Sequence, residues 1–235
     1  MACCNHTSSA MLVAASIAAV GVILGASTFQ DSKPSDTPLA PPTPPATPAT
    51  PEIPSAPAAE AVPQDEAGMM LAWARYAETG PEQEWLSKWV GEWTATVEFY
   101  MVPGAPPTQD VGSCVFQSMY GNRFLRQDYK GTMGPDGPPF EGTGYLCYDN
   151  ARACFLYIWF DSMSTGWSSG IGKGGSGSGR IDWDTTDPDI LRGGTKPMRG
   201  VQTFDGKDTL VLESYEPGPN GTETLQMRIT YRRKQ

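Results

Sequence analysis

Residues 91–101, GEWTATVEFYM, decide the fold. Trp93, Ala95, Val97, Phe99 and Met101 alternate with Thr94, Thr96, Glu98 and Tyr100, so apolar side chains recur at every second residue. That period belongs to a strand with one dry face and one wet face. The same pattern returns at the far end of the chain. There Leu225, Met227, Ile229 and Tyr231 alternate with Thr224, Gln226, Arg228 and Thr230. Between these two segments turn signals recur at residues 103–106, 121–122, 131–139, 149–150, 170–179, 184–189, 205–206 and 217–221. No stretch after Val90 reads as a crossover helix. About ten short sequential strands with tight turns form an antiparallel meander, and they close most economically into an up-and-down barrel. Closure also removes the exposed edges of an open sheet.

Upstream of this run the period changes. Met69, Met70, Trp73 and Tyr76 recur at helical spacing, predicting a short helix up to Glu78. Thr79-Gly80-Pro81-Glu82 reads as a capping box with Pro81 in the first turn. It opens a second helix to about Val90, with Trp85, Leu86, Trp89 and Val90 on the face turned to the core.

One hairpin can be read residue by residue. A turn centred on Asn150 and Ala151 sets Cys147 opposite Cys154, Leu146 opposite Phe155, Gly144 opposite Tyr157, Gly142 opposite Trp159 and Phe140 opposite Asp161. Two glycines then face two large aromatics, whose rings can cover bare backbone. The other face, with Thr143, Tyr145, Leu156, Ile158 and Phe160, is also apolar. Both faces are therefore expected to be covered, one by the lumen and one by a helix or a partner. In this pairing Cys147 and Cys154 are candidates for a cross-strand disulfide, and the alternative is a buried thiol at each of them and at Cys114.

The chain divides into three parts. Residues 1–30 are an apolar leader, a signal peptide or an N-terminal membrane anchor. Its uncharged run at residues 10–27 has the length of a signal h-region, and Gly25 and Ser27 offer a cleavage site, but no Lys or Arg precedes it. Residues 31–68 are a Pro/Ala/Thr-rich linker, disordered or extended, holding eleven of the 22 prolines. Residues 69–235 are the barrel domain. A leader and a spacer place the domain outside the cytoplasm, secreted, periplasmic or tethered to a membrane.

Several short motifs carry a resemblance: GEWT at residues 91–94, PGAPP at 103–107, GNRFLRQDYKG at 121–131, PFEGTGYLCYDN at 139–150, YIWFDSMSTG at 157–166 and TETLQMRITYRRK at 222–234. In this order they resemble the bacterial family catalogued as domain of unknown function 1579, over roughly residues 70–235. The resemblance implies a calycin-like barrel akin to lipocalins and fatty-acid-binding proteins. It implies no activity. The glycine-rich stretch 168–180 departs from the family pattern.

Composition removes whole classes of chemistry. The only histidine is His6, in the leader, so the domain has none for a zinc or haem site, nor for a histidine-based triad. The net charge of -9 argues against nucleic acid as a partner. Most of that charge belongs to the linker: residues 31–69 hold six acidic and one basic residue, against 20 and 16 in the rest of the chain. Residues 172–177 fit G-x-G-x-x-G, but residues 180–183 after them read as a strand, so no helix N-terminus is there to hold a pyrophosphate; a hairpin loop is expected. Asp182, Asp184, Asp187 and Asp189 read as a solvated turn, since their spacing is not that of an EF-hand calcium loop. No metal site and no cofactor are expected.

The remaining candidates for a site are Arg123, Tyr129, Tyr157, Trp159 and Asp161, which the strand pattern places on the lumen, with Arg123 and Asp161 as a charged pair at its wall. Three readings follow. The favoured one is a barrel that binds a small apolar ligand in its lumen. The others are a carboxylate/tyrosine acid–base enzyme in the same cavity, with Asp161 as the acid or base, and a filled barrel that serves only as a structural or interaction module.

Overall fold

The structure, a computed structural model, describes residues 65–235 apart from 103 and 135–136. The leader and nearly all of the linker lie outside the described residues. Two helices come first: α1 (Glu66–Ala77) and α2 (Pro81–Ser87). Ten strands follow: β1 (Gly91–Phe99), β2 (Thr108–Met119), β3 (Phe124–Thr132), β4 (Pro139–Asp149), β5 (Cys154–Asp161), β6 (Ser168–Gly175), β7 (Arg180–Pro188), β8 (Thr195–Phe204), β9 (Thr209–Pro217) and β10 (Glu223–Arg233). Each pairs antiparallel with its sequence neighbours, and β1 pairs with β10 to close the barrel. The expected ten-stranded up-and-down barrel is the observed one.

Helix α1 starts three residues before the expected boundary, because the Asp65 side chain caps it by accepting from the Gly68 amide at 2.7 Å. None of its residues is buried. The start of α2 is also displaced. Gly80 rather than Thr79 is its N-cap, with Pro81 at the first helical position and the Gln83 side chain accepting from the Gly80 amide at 2.8 Å. The helix stops at Ser87, and the turn that follows leads the chain into β1. Val90 consequently points outward, 38% exposed, while Trp85, Leu86 and Trp89 are buried as the spacing implies.

These three side chains plug one end of the barrel. They pack against Trp93, Phe116, Phe155 and Phe204 from four strands, with ring pairs edge to face at 5.1 to 6.4 Å. The Trp93 indole donates to the Trp89 carbonyl at 2.8 Å. Polar contacts pin α2 to the hairpin turns at the same end. Gln83 donates to the Tyr148 carbonyl and to the Asn150 side chain, both at 3.1 Å, and Glu82 accepts from the Ser176 amide at 2.7 Å. From β10, Arg233 donates to the carbonyls of Lys88 and Val90 and lies 4.2 Å over the Trp93 ring.

The β4–β5 hairpin differs from the sequence reading by two residues. Asp149 pairs with Cys154, Tyr148 with Phe155, Leu146 with Tyr157, Gly144 with Trp159 and Gly142 with Asp161. The loop is longer than a two-residue turn. The Asp149 carboxylate accepts from the amides of Ala151 and Arg152, and Ala153 takes a φ of 51°. A shift of two leaves every side chain on the face assigned to it. Glycine still lies under an aromatic ring, but one ring covers two glycines: Trp159 stands opposite Gly144, and its indole extends across Gly142, where a methyl group would overlap it. The shift separates the cysteines. Cys147 faces Leu156, Cys154 faces Asp149, and both are free thiols. The outer face of the hairpin is not covered, since Phe160 is 41% exposed and Tyr145 and Ile158 are half-buried.

The glycine-rich stretch is also more regular than expected. Gly170, Gly172 and Gly174 lie within β6, and only residues 176–179 form the turn. Side chains at Gly170 and Gly172 would collide with Thr185 and with Ile181 and Trp183 of β7, so their absence lets β7 pack its rings inward.

Two predictions follow from this packing. Gly142→Ala forces its methyl group into the Trp159 ring and is expected to lower stability by about 1–3 kcal/mol, read from the urea midpoint of the full chain; an unchanged midpoint contradicts the placement of Trp159. Asp205, in the β8–β9 turn, has its carboxyl pushed up by burial, but the Thr209, Lys207 and Asp208 amides outweigh this and hold it at about 2, below the ordinary 3.8. Its stabilisation is therefore complete above pH 3.8 and is lost as the pH falls toward 2. After allowance for solvent screening, Asp205→Asn should remove about 1 kcal/mol of the acid-induced loss between pH 4 and 2, and an identical acid limb in the variant contradicts the assignment.

Candidate functional site

Beyond the plug the lumen widens into a cavity of about 380 Å³. Its floor is made by Leu146, Trp183, Tyr231, Gln127 and Gln202, the layer next above the aromatic plug. The buried polar groups of this layer satisfy one another. Gln127 donates to the Tyr231 hydroxyl at 3.0 Å, and the Trp183 indole donates to the Gln202 carbonyl oxygen at 3.1 Å. Val97, Phe99, Phe140, Leu212, Met227 and Ile229 supply much of the wall. They are the inward residues of β1, β4, β9 and β10, placed there by the same alternation that defines the strands.

Four of the five residues expected at the site line the cavity: Tyr129, Tyr157, Trp159 and Asp161. Tyr129 donates to Asp110 at 3.4 Å, and Asp110 also accepts from the Thr132 amide and hydroxyl at 2.9 and 2.8 Å. Burial, with the Asp110 carboxylate beside it, pushes the Tyr129 phenol up to about 12. Asp161 accepts from the Trp159 indole at 3.0 Å and from the Met163 amide at 2.9 Å, so it holds Trp159 in orientation.

Arg123 is not at the site. It lies in the turn before β3 at the plugged end, exposed, and donates to the carbonyls of Ala77 and Tyr120, both at 2.9 Å. The lumen-facing residues of β3 begin with Leu125, so extending the alternation one step back carried the pattern out of the strand. Asp161 lies at the other end of the barrel, and the expected Arg123–Asp161 pair does not form.

Asp187 is the residue the sequence reading missed. The run from Asp182 to Asp189 is not one solvated turn, because β7 continues to Pro188. Asp182 points outward and pairs with Arg180, and Asp189 accepts from the amides of Leu191 and Arg192 at 3.1 and 3.0 Å. Asp187 lines the cavity. Counting in twos from the buried Ile181 and Trp183 through Thr185 reaches it, and this was the signal available. Burial raises the Asp187 carboxyl, while a bond from Ser168 and the charge of Lys196 partly offset the rise. Burial also pushes the neighbouring Tyr157 phenol far up, and the Asp187 and Asp161 carboxylates add to it. That phenol stays protonated at neutral pH.

Exposed apolar side chains stand at the open end of the barrel, on the loops joining β1 to β2, β3 to β4, β5 to β6 and β7 to β8. They include Met101, Met133, Met163, Trp167, Ile190 and Leu191, with Ile190 90% and Trp167 64% exposed. The turns of the plugged end carry charged side chains, Arg123, Arg152, Lys207 and Asp208, beside the exposed Tyr120 and Phe124. Among the described residues no cluster of His, Cys, Asp or Glu is arranged to hold a metal ion, and no helix is long and apolar enough to cross a membrane.

No curated protein matches the chain. Among solved structures it is similar to the crystal structure of Rv2717c from M. tuberculosis, at 17% identity over 67% of this chain and 100% of that one, with a TM-score of 0.49. A redesigned β-barrel is similar at 16% identity over 64% of this chain and 96% of that one, with a TM-score of 0.35. At these values neither structure informs the site. Residues 78–233, from the end of α1 through β10, match the family described as Protein of unknown function (DUF1579), and the chain belongs to that family.

Proposed function

We propose that the barrel binds a small, largely apolar molecule in its lumen, admitted through the open end. The cavity carries this reading. At about 380 Å³ it falls within the range of roughly 300–1,000 Å³ common to small-molecule sites. Its wall is mostly apolar, and the polar groups of its floor are paired with each other rather than held open to water. The apolar loop tips around the mouth support an apolar route of entry. In this reading the leader and the proline-rich spacer deliver the domain outside the cytoplasm and hold it clear of a surface.

Asp187 favours a second reading, acid–base catalysis in the same cavity. A carboxyl raised by burial, beside a phenol that keeps its proton, is a pairing that acid–base enzymes use. This reading requires turnover of a bound molecule that stops in Asp187→Asn.

The full chain, purified without detergent, is expected to carry small-molecule adducts in native mass spectrometry. Its tryptophan emission should shift on titration with a library of apolar compounds, because Trp159 and Trp183 line the cavity. Leu212→Trp places a large ring in the lumen and should weaken the response at least about tenfold while circular dichroism stays unchanged. No adduct and no response across the library would contradict ligand binding.

A further inference from the structure

We infer that the cavity selects apolar molecules whose polar end is an ammonium group, held between Asp161, Asp187 and the rings of Tyr157 and Trp159. The inference rests on the reading of the lumen as a binding site and adds the chemistry of the ligand's head.

The charges on the cavity wall are one-sided. Among the described residues two carboxylates line it, Asp161 and Asp187, and no Lys or Arg does. They stand on neighbouring parts of the wall. Trp159 pairs with Ser168 across β5 and β6, and the next residue, Ser169, pairs with Thr186, the neighbour of Asp187, across β6 and β7. Both carboxylates lie near enough to Tyr157 to oppose its ionisation. The nearest cation on the adjoining strand is Lys196, opposite Asp187 in the β7–β8 register. It does not line the cavity, and its ammonium sits 3.4 Å from Glu216.

The hydrogen-bonding capacity left over in the cavity is concentrated at the same place. Elsewhere most of the polar groups are matched, Gln127 with Tyr231, Trp183 with Gln202 and Tyr129 with Asp110, and Ser214 is the exception. Asp161 accepts one N–H on each oxygen, and a carboxylate oxygen has room for a second. Ser168 stands beside Asp187 and favours its charged form. The Tyr157 hydroxyl makes no hydrogen bond among the described residues. A head group that donates protons would complete this set. One that only accepts, such as a carboxylate, would meet two negative charges and be stripped of water with no cation on the cavity wall to pair with.

The rings add to the preference. Tyr157 packs at 5.8 Å and 55° against Trp183, and Trp159 is oriented by its bond to Asp161, so aromatic surface lies beside the carboxylates. Ammonium groups bind favourably over such faces, most strongly where water is excluded.

The test uses three probes with one body, octylamine, 1-octanol and octanoate, titrated into the full chain at neutral pH by calorimetry and checked by native mass spectrometry. Octylamine is expected to bind at least tenfold more tightly than octanoate, with octanol between them. Asp187→Asn should weaken octylamine at least fivefold and leave octanol within twofold; Tyr157→Phe, which keeps the ring, should weaken octylamine less than Asp187→Asn does. Octanoate binding as tightly as octylamine, or Asp187→Asn weakening octanol and octylamine alike, overturns the head-group inference while leaving lumen binding in place. If none of the three binds, the head-group inference falls, and the binding reading falls with it only where the apolar library also gives no response.

Discussion

The insertion of Trp85 and Trp89 into one end of the barrel is the contact on which the rest depends. A closed ten-stranded barrel has two ends and a lumen wider than that of eight strands. Burying these rings against Trp93, Phe116, Phe155 and Phe204 seals one end and leaves the space above them as a pocket. Truncating one such ring typically costs about 3–5 kcal/mol, a large share of the roughly 5–15 kcal/mol that holds a domain folded. Bonds beside this contact tie the two ends of the barrel sequence together. Helix α2 precedes every strand, yet Arg233, at the end of β10, donates to the carbonyls of its closing turn.

Glycine sets the shape of the wall above the plug. The Trp159 indole lies across Gly142 and Gly144, and Trp183 packs against Gly172 and Gly200. Where a side chain is absent, a ring can lie along the sheet instead of reaching to the opposite wall. Two of the largest side chains in the lumen are thereby accommodated beside a cavity rather than in its centre. The polarity of the cavity follows from which inward positions are charged, and only two of those lining it are, both aspartates.

Strand order and inward faces were legible from alternation because a buried wall enforces a period of two. Trp93, Ala95 and Val97 announce it in β1, as do Met227, Ile229 and Tyr231 in β10. Tyr129, Tyr157, Trp159 and Asp161 could be placed on the lumen for the same reason. Loop lengths were less legible. The β4–β5 turn is set by how the Asp149 side chain engages the backbone, which a count of residues does not reveal, and the cysteine pairing was misplaced with it. Arg123 was misassigned because alternation says nothing about where a strand begins. Asp187 was hidden by its neighbours: a dense run of aspartates reads as a turn, although the strand continues through it.

Binding in the lumen requires that the space above the aromatic plug be a true cavity, and a crystal structure determined under xenon pressure tests this most directly. Xenon enters apolar cavities and scatters strongly, whatever the natural ligand is. Xenon density is expected inside the barrel, among the lining residues Tyr231, Leu212, Met227 and Trp159. A lumen closed by those side chains, with no xenon in it, would contradict the account.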